Sequence, residues 1–145
     1  MTKPHTGRCF CGQVRYSIDA EPLASGICWC RDCQYIASGS ATVNVIFPQE
    51  SVEIDGEVTT IEKIADSGNR LERGFCSKCG SQLFGRGIDP SSKTIRIRAG
   101  SLDNPDLMAP QIIIWTDSAP SWAVFDPKLP RHNRGLDSPL VGKAI

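Results

Sequence analysis

Apolar and polar positions alternate along this chain in short stretches with a period of two, and a helical period is scarce. Val14, Tyr16 and Ile18 alternate with Gln13, Arg15 and Ser17; Val43, Val45 and Phe47 alternate with Thr42, Asn44 and Ile46 in a strand that stops at Pro48. Val52 and Ile54 precede Asp55-Gly56, a turn pair, after which Val58 to Ile64 resumes an extended pattern. Ile95 and Ile97 alternate with Thr94, Arg96 and Arg98, which reads as a strand with one buried and one wet face. Pro105, Pro110, Pro120, Pro127 and Pro130 cut the last third into loops and short strands, leaving room for a single helical turn at Pro105 to Met108. The pattern predicts a mostly β fold in one domain, residues 1–145, with a core over about 7–131 and a tail from 132.

Charge removes several function classes. Sixteen basic and sixteen acidic residues cancel, so the chain as a whole carries no footprint for nucleic acid or an anionic membrane. The longest aliphatic run, Ile112, Ile113 and Ile114 before Trp115, falls far short of the roughly 20 apolar residues of a membrane helix. Lys93, Arg96 and Arg98 read as a wet strand face rather than a basic stripe. MTKPHTGRCFCG has no apolar segment before its first cysteines, so a reducing cytoplasm is the expected location.

The chemistry lies in seven cysteines: Cys9 and Cys11, then Cys28, Cys30 and Cys33, then Cys76 and Cys79. Disulfides suit them poorly, because seven is odd and partners one or two residues apart would close loops too small to constrain the unfolded chain. Metal is the better use. In a zinc knuckle the chain folds back so that amides face the sulfurs, and a glycine after the second cysteine tolerates the positive φ this needs. Gly12 follows Cys11 and Gly80 follows Cys79, whereas Gln34 follows Cys33. The outer pairs therefore match as two knuckles closing one four-cysteine site, worth about 10 to 16 kcal/mol of zinc binding in a small domain. Loss of any one ligand is expected to loosen or unfold it.

Cys28, Cys30 and Cys33 remain, and three readings stay open. They hold a zinc with an open fourth position, or a zinc closed by His132, His5 or a carboxylate, or no metal at all, as redox-labile thiols. Three thiolates on Zn2+ already leave a net negative charge, and a fourth would add to it. Arg31, inside the cluster loop, is the candidate compensating cation, with Trp29 a second pocket candidate.

The order GxCxCGxVxY (Gly7 to Tyr16), CxCRDCQ (Cys28 to Gln34), RxFCxxCGSxLF (Arg73 to Phe84), GSLDxP (Gly100 to Pro105) and Trp122 through Pro130 resembles the glutathione-dependent formaldehyde-activating family. The resemblance implies an Mss4-like β-tent, a structural zinc on Cys9, Cys11, Cys76 and Cys79, and a catalytic zinc on Cys28, Cys30 and Cys33. It implies a carbon–sulfur lyase that reversibly combines glutathione and formaldehyde into S-hydroxymethylglutathione, with a small-molecule thiol and an aldehyde as partners. Arg73, Lys78, Arg86, Arg131 and Arg134 are candidates for the glutathione carboxylates. Two positions depart from the family pattern: Trp29 and Gln111 stand where histidines are common. General acid–base work near neutral pH would then fall to water, thiolates or a carboxylate. A thiol carrier without turnover and a zinc-stapled protein-interaction module are the other classes open to this sequence.

Overall fold

A computed structural model describes residues 3–65 and 68–141. The strands are β1 (His5–Arg8), β2 (Arg15–Ile18), β3 (Ala24–Cys28), β4 (Thr42–Pro48), β5 (Val52–Asp55), β6 (Val58–Ile64), β7 (Arg70–Cys76), β8 (Gln82–Gly87), β9 (Thr94–Arg98) and β10 (Ile113–Ile114), with one short helix, α1 (Arg31–Ile36). The chain is mostly β, and its contacts gather into two compact units, Met1–Leu23 with Val45–Met108 and Ala24–Asn44 with Ala109–Ile145.

In the first unit β1, β2 and β5 form one antiparallel sheet, while β9, β8, β7 and β6 lie side by side with the end of β4 next to β9. Val14, Tyr16, Ile18, Phe47, Ile95 and Ile97 all point into the core, as the alternation requires. Cys9 and Cys76 are buried in that same core. Gly7 faces Tyr16 across β1 and β2, and a Cβ there would strike the Tyr16 ring and the Ser101 carbonyl. The tyrosine thus covers the bare backbone of the glycine, its hydroxyl 2.7 Å from the Ser101 hydroxyl.

Several details differ from the pattern. In β4 it is Thr42 and Asn44 that are buried while Val43 is half-buried, because Asn44 donates to the Thr42 hydroxyl at 3.0 Å and needs no water. Arg98 is buried, not wet: its guanidinium lies over Gly85, whose missing side chain makes the room. Asp55-Gly56 turns the chain with Gly56 at φ 107°, but β5 pairs with β2 and β6 with β7, so the turn passes between sheets. Pro105 to Met108 is a turn closed by the Leu107 amide on the Asn104 carbonyl, without helix.

In the second unit β10 runs parallel to β3, setting Ile113 beside Ile27 and Ile114 beside Cys28. Beyond it the chain returns along Arg131, which bridges Ile113, and folds back so that His132 faces Leu140. No described helix is long and apolar enough to cross a membrane.

Candidate metal centres

The two outer cysteine pairs are built as matching turns. Cys9 donates its amide to the Val14 carbonyl at 3.0 Å, and Cys76 donates to Ser81 at 3.0 Å. Gly12 (φ 79°) and Gly80 (φ 77°) both take the left-handed conformation that lets the chain fold back. Their amides close the turns on the carbonyls of Cys9 (3.1 Å) and Cys76 (2.9 Å). The fold-back aims amides at sulfur: Val14 donates to Cys9 Sγ at 3.2 Å and Cys79 to Cys76 Sγ at 3.5 Å.

The four sulfurs lie within 4.8 Å of one another, with Cys9 and Cys11 3.6 Å apart and Cys11 and Cys76 3.8 Å apart. A tetrahedron with metal–sulfur bonds of about 2.3 Å has sulfur–sulfur edges of about 3.8 Å. These residues fit a tetrahedral thiolate-loving ion such as zinc.

Ser81 is a residue of this site that the cysteine pattern alone does not reveal. Its hydroxyl accepts from the Phe10 amide at 2.8 Å and lies 3.2 Å from Cys79 Sγ, so it ties one knuckle to the other and is placed to donate to that sulfur once it is ionised. That hydroxyl, with the amides of Cys11 and Ser81, brings the Cys79 thiol down to about 5. Cys9 is also lowered: burial and Cys79 work against it, but the Val14 amide and the Cys11 and Cys76 thiols outweigh them. Cys11 moves the other way, to about 11: the Gln13 amide favours its thiolate, but desolvation and then the adjoining sulfurs together outweigh it. Four thiols this close cannot all ionise without a cation among them. A cleft of about 480 Å³ borders this cluster at Cys9, with Arg8 and Arg98 in its wall.

Cys28, Cys30 and Cys33 come together on a single loop, their sulfurs within 4.8 Å of one another. The Trp29 amide donates to the Ile114 carbonyl at 3.0 Å, which fixes Cys28 at the end of β3. Cys30 caps α1, and its sulfur accepts from the Cys33 amide at 3.3 Å. Cys33 is buried, while Cys28 and Cys30 remain partly open to solvent. Contact with the other two sulfurs, together with burial, pushes the Cys28 thiol far above its ordinary value. Cys30 is raised too, since Cys33 and burial outweigh the favourable contact with Cys28. The set suits a cation that ionises all three, and among the described residues no histidine or carboxylate joins it.

Gln34 holds this loop and was not singled out by the sequence. Buried behind the cysteines, it donates to the carbonyls of Trp29 (2.8 Å) and Ser118 (2.9 Å) and accepts from Arg31 at 2.7 Å. Arg31 is thereby turned toward Gln34 and lies 5.0 Å over the Tyr35 ring. Trp29 is only 6% exposed and meets Trp122 and Phe125 edge-on. Gln111 is engaged with β3, its side-chain oxygen taking the Ser25 amide at 3.2 Å. His132 donates from Nδ1 to the Ser138 carbonyl at 2.6 Å, and His5 lies in the first unit, 3.5 Å from Glu21. Of the arginine and lysine candidates, Arg73, Lys78 and Arg86 belong to the first unit, Arg86 paired with Glu72 at 3.0 Å, while Arg131 and Arg134 belong to the second.

No curated protein matches the chain. Among solved structures, a Rhodobacter sphaeroides protein determined as a structural genomics target is similar at a TM-score of 0.54 and 19% identity, over 72% of this chain and 96% of that one. That likeness speaks for the fold alone. A family model, "Glutathione-dependent formaldehyde-activating enzyme", matches residues 4–118, which include all seven cysteines. The family fold is Mss4-like, in agreement with the β architecture and the paired knuckles. The chain belongs to the glutathione-dependent formaldehyde-activating family.

Proposed function

We propose that this protein is a zinc-dependent carbon–sulfur lyase acting on thiol–aldehyde adducts, with the reversible combination of glutathione and formaldehyde as its reference reaction. The observation that carries the reading is the three-sulfur set on one loop, with two of its members partly open to solvent. Cys9, Cys11, Cys76 and Cys79 would hold a structural zinc in the core, closed by four ligands. Cys28, Cys30 and Cys33 would hold a second one with a position to spare. The chemistry such an ion supplies when bound is an ionised thiol at neutral pH.

The chain's own part is to position and exclude. In the forward direction a sulfur–carbon bond forms as the thiol adds across the carbonyl and the sulfur's proton ends on the carbonyl oxygen; the reverse breaks that bond and returns the proton. Nothing is oxidised or reduced. With no histidine at the three sulfurs among the described residues, the proton passes through water. Gln34 and the Cys33 amide keep the loop in one geometry, so little reorganisation accompanies each cycle.

The test joins metal content to exchange. Wild-type protein is expected to carry two zinc ions and to accelerate glutathione–formaldehyde adduct exchange seen by NMR. Cys30→Ser should carry one, stay folded and lose the acceleration. One zinc in the wild type with no acceleration sinks the lyase reading.

A further inference from the structure

Strand β6 is held by one neighbour and covered on neither face. Its ladder with β7 runs from Val58 beside Cys76 to Ile64 beside Arg70, and among the described residues no strand or bridge occupies its other side. Elsewhere the chain closes such sides itself: Leu102 bridges Gly7 beside β1, and Arg131 bridges Ile113 beside β10. Only Val58 packs against the core; the residues after it are exposed, Ile61 at 56% and Ile64 at 65%. The outward N–H and C=O groups of such a strand are a template for another strand.

The apolar residues of β6 do not follow a strand's period of two. Val58, Ile61 and Ile64 are spaced by three, so Ile61 lies on the face opposite the other two and neither face is apolar. Burial of one face therefore does not account for them. The pattern has another symmetry: from either end it reads apolar, polar, polar, apolar, polar, polar, apolar, with Ile61 at the centre. Two identical strands paired antiparallel about a two-fold axis are matched by a pattern that reads alike in both directions.

We infer that the outer edge of β6 is the docking surface for β6 of a second copy of this chain, paired antiparallel with Ile61 on the two-fold axis. In that register Ile61 meets Ile61 of the second copy, Val58 meets Ile64, Thr59 meets Lys63 and Thr60 meets Glu62. The whole strand is paired, apolar residues meet apolar residues, and no like charges stand opposite each other. Partners also share a face of the joined sheet, as cross-strand neighbours must. The adjacent registers lack this fit. Moving the axis to Glu62 sets that carboxylate against its own copy, and moving it to Thr60 sets Val58 against Glu62. The contact is a single strand edge, smaller than a permanent interface, so association is weak and concentration-dependent. It does not depend on the reaction at the cysteines.

Sedimentation equilibrium of the zinc-loaded full chain from about 1 µM to about 1 mM tests the inference. The wild type is expected to pass from monomer to dimer and to stop there. Ile61→Lys, which sets two ammonium groups together on the axis, should raise the dissociation constant about tenfold or more. Thr60→Lys faces Glu62 of the second copy at two symmetric places and should lower it about fivefold, whereas Thr60→Glu should raise it by a similar factor. Both positions are exposed, so circular dichroism of each variant should match the wild type. A wild type that stays monomeric throughout, as an edge kept for a different protein would, overturns the inference. So does assembly past the dimer, or a dimer indifferent to Ile61→Lys. Thr60→Lys and Thr60→Glu shifting the dissociation constant in the same direction would refute the register.

Discussion

One added methyl group distinguishes two kinds of glycine in this chain. At Gly80 a Cβ meets nothing within 4 Å, so Gly80→Ala suffers only from the left-handed backbone, about 1 to 2 kcal/mol. At Gly7 the backbone is ordinary, but the Cβ would collide with the Tyr16 ring and with the Ser101 carbonyl, and the hydroxyls of these two residues are hydrogen-bonded to each other, which holds both in place. Gly7→Ala should therefore lose more, about 3 kcal/mol. Urea unfolding of the two variants checks the order, and equal losses would contradict it. Gly12 and Gly80 were legible in the sequence because a positive φ favours glycine whatever surrounds it. The role of Gly7 was not, since it depends on a tyrosine brought across by strand pairing. Ser81 was hidden for the same reason: its two partners, Phe10 and Cys79, meet only in three dimensions.

Among the elements, those that bury one face were readable: β2, β5 and β9 each keep their apolar members inward. β3 (Ala24–Cys28) and β7 (Arg70–Cys76) gave no such signal, the first made of small residues and the second rich in charge, and both exist through their neighbours. α1 is six residues long, too short for a helical period, and it starts where the Cys30 sulfur takes the Cys33 amide. The element is a by-product of gathering three cysteines. Its anchor is Gln34, so Gln34→Leu strands the carbonyls of Trp29 and Ser118 at about 1 to 3 kcal/mol each. The expected result is weaker metal binding at the second cluster with the first unaffected, read by competition with a chromogenic chelator. Equal weakening at both clusters would mean that Gln34 does not act through this loop.

Each compact unit contains one whole cysteine cluster, Cys9, Cys11, Cys76 and Cys79 in the first and Cys28, Cys30 and Cys33 in the second. The spans they close are very different. Cys11 and Cys76 stand 65 residues apart, against a handful within the second cluster, and the longer closure costs about 2 kcal/mol more in chain entropy. On refolding with zinc, metal uptake should have a fast phase that persists in Cys76→Ser and vanishes in Cys30→Ser, and a slow phase that accompanies folding. A single phase in the wild type would refute this order. The same separation carries into synthesis. Cys9 and Cys11 leave the ribosome together with Cys28, Cys30 and Cys33, five thiols near one another with their true partners still untranslated. On the proposed reading a zinc ion caught early would sit on a borrowed pair, and Cys76 and Cys79 would have to displace that pair once they are made.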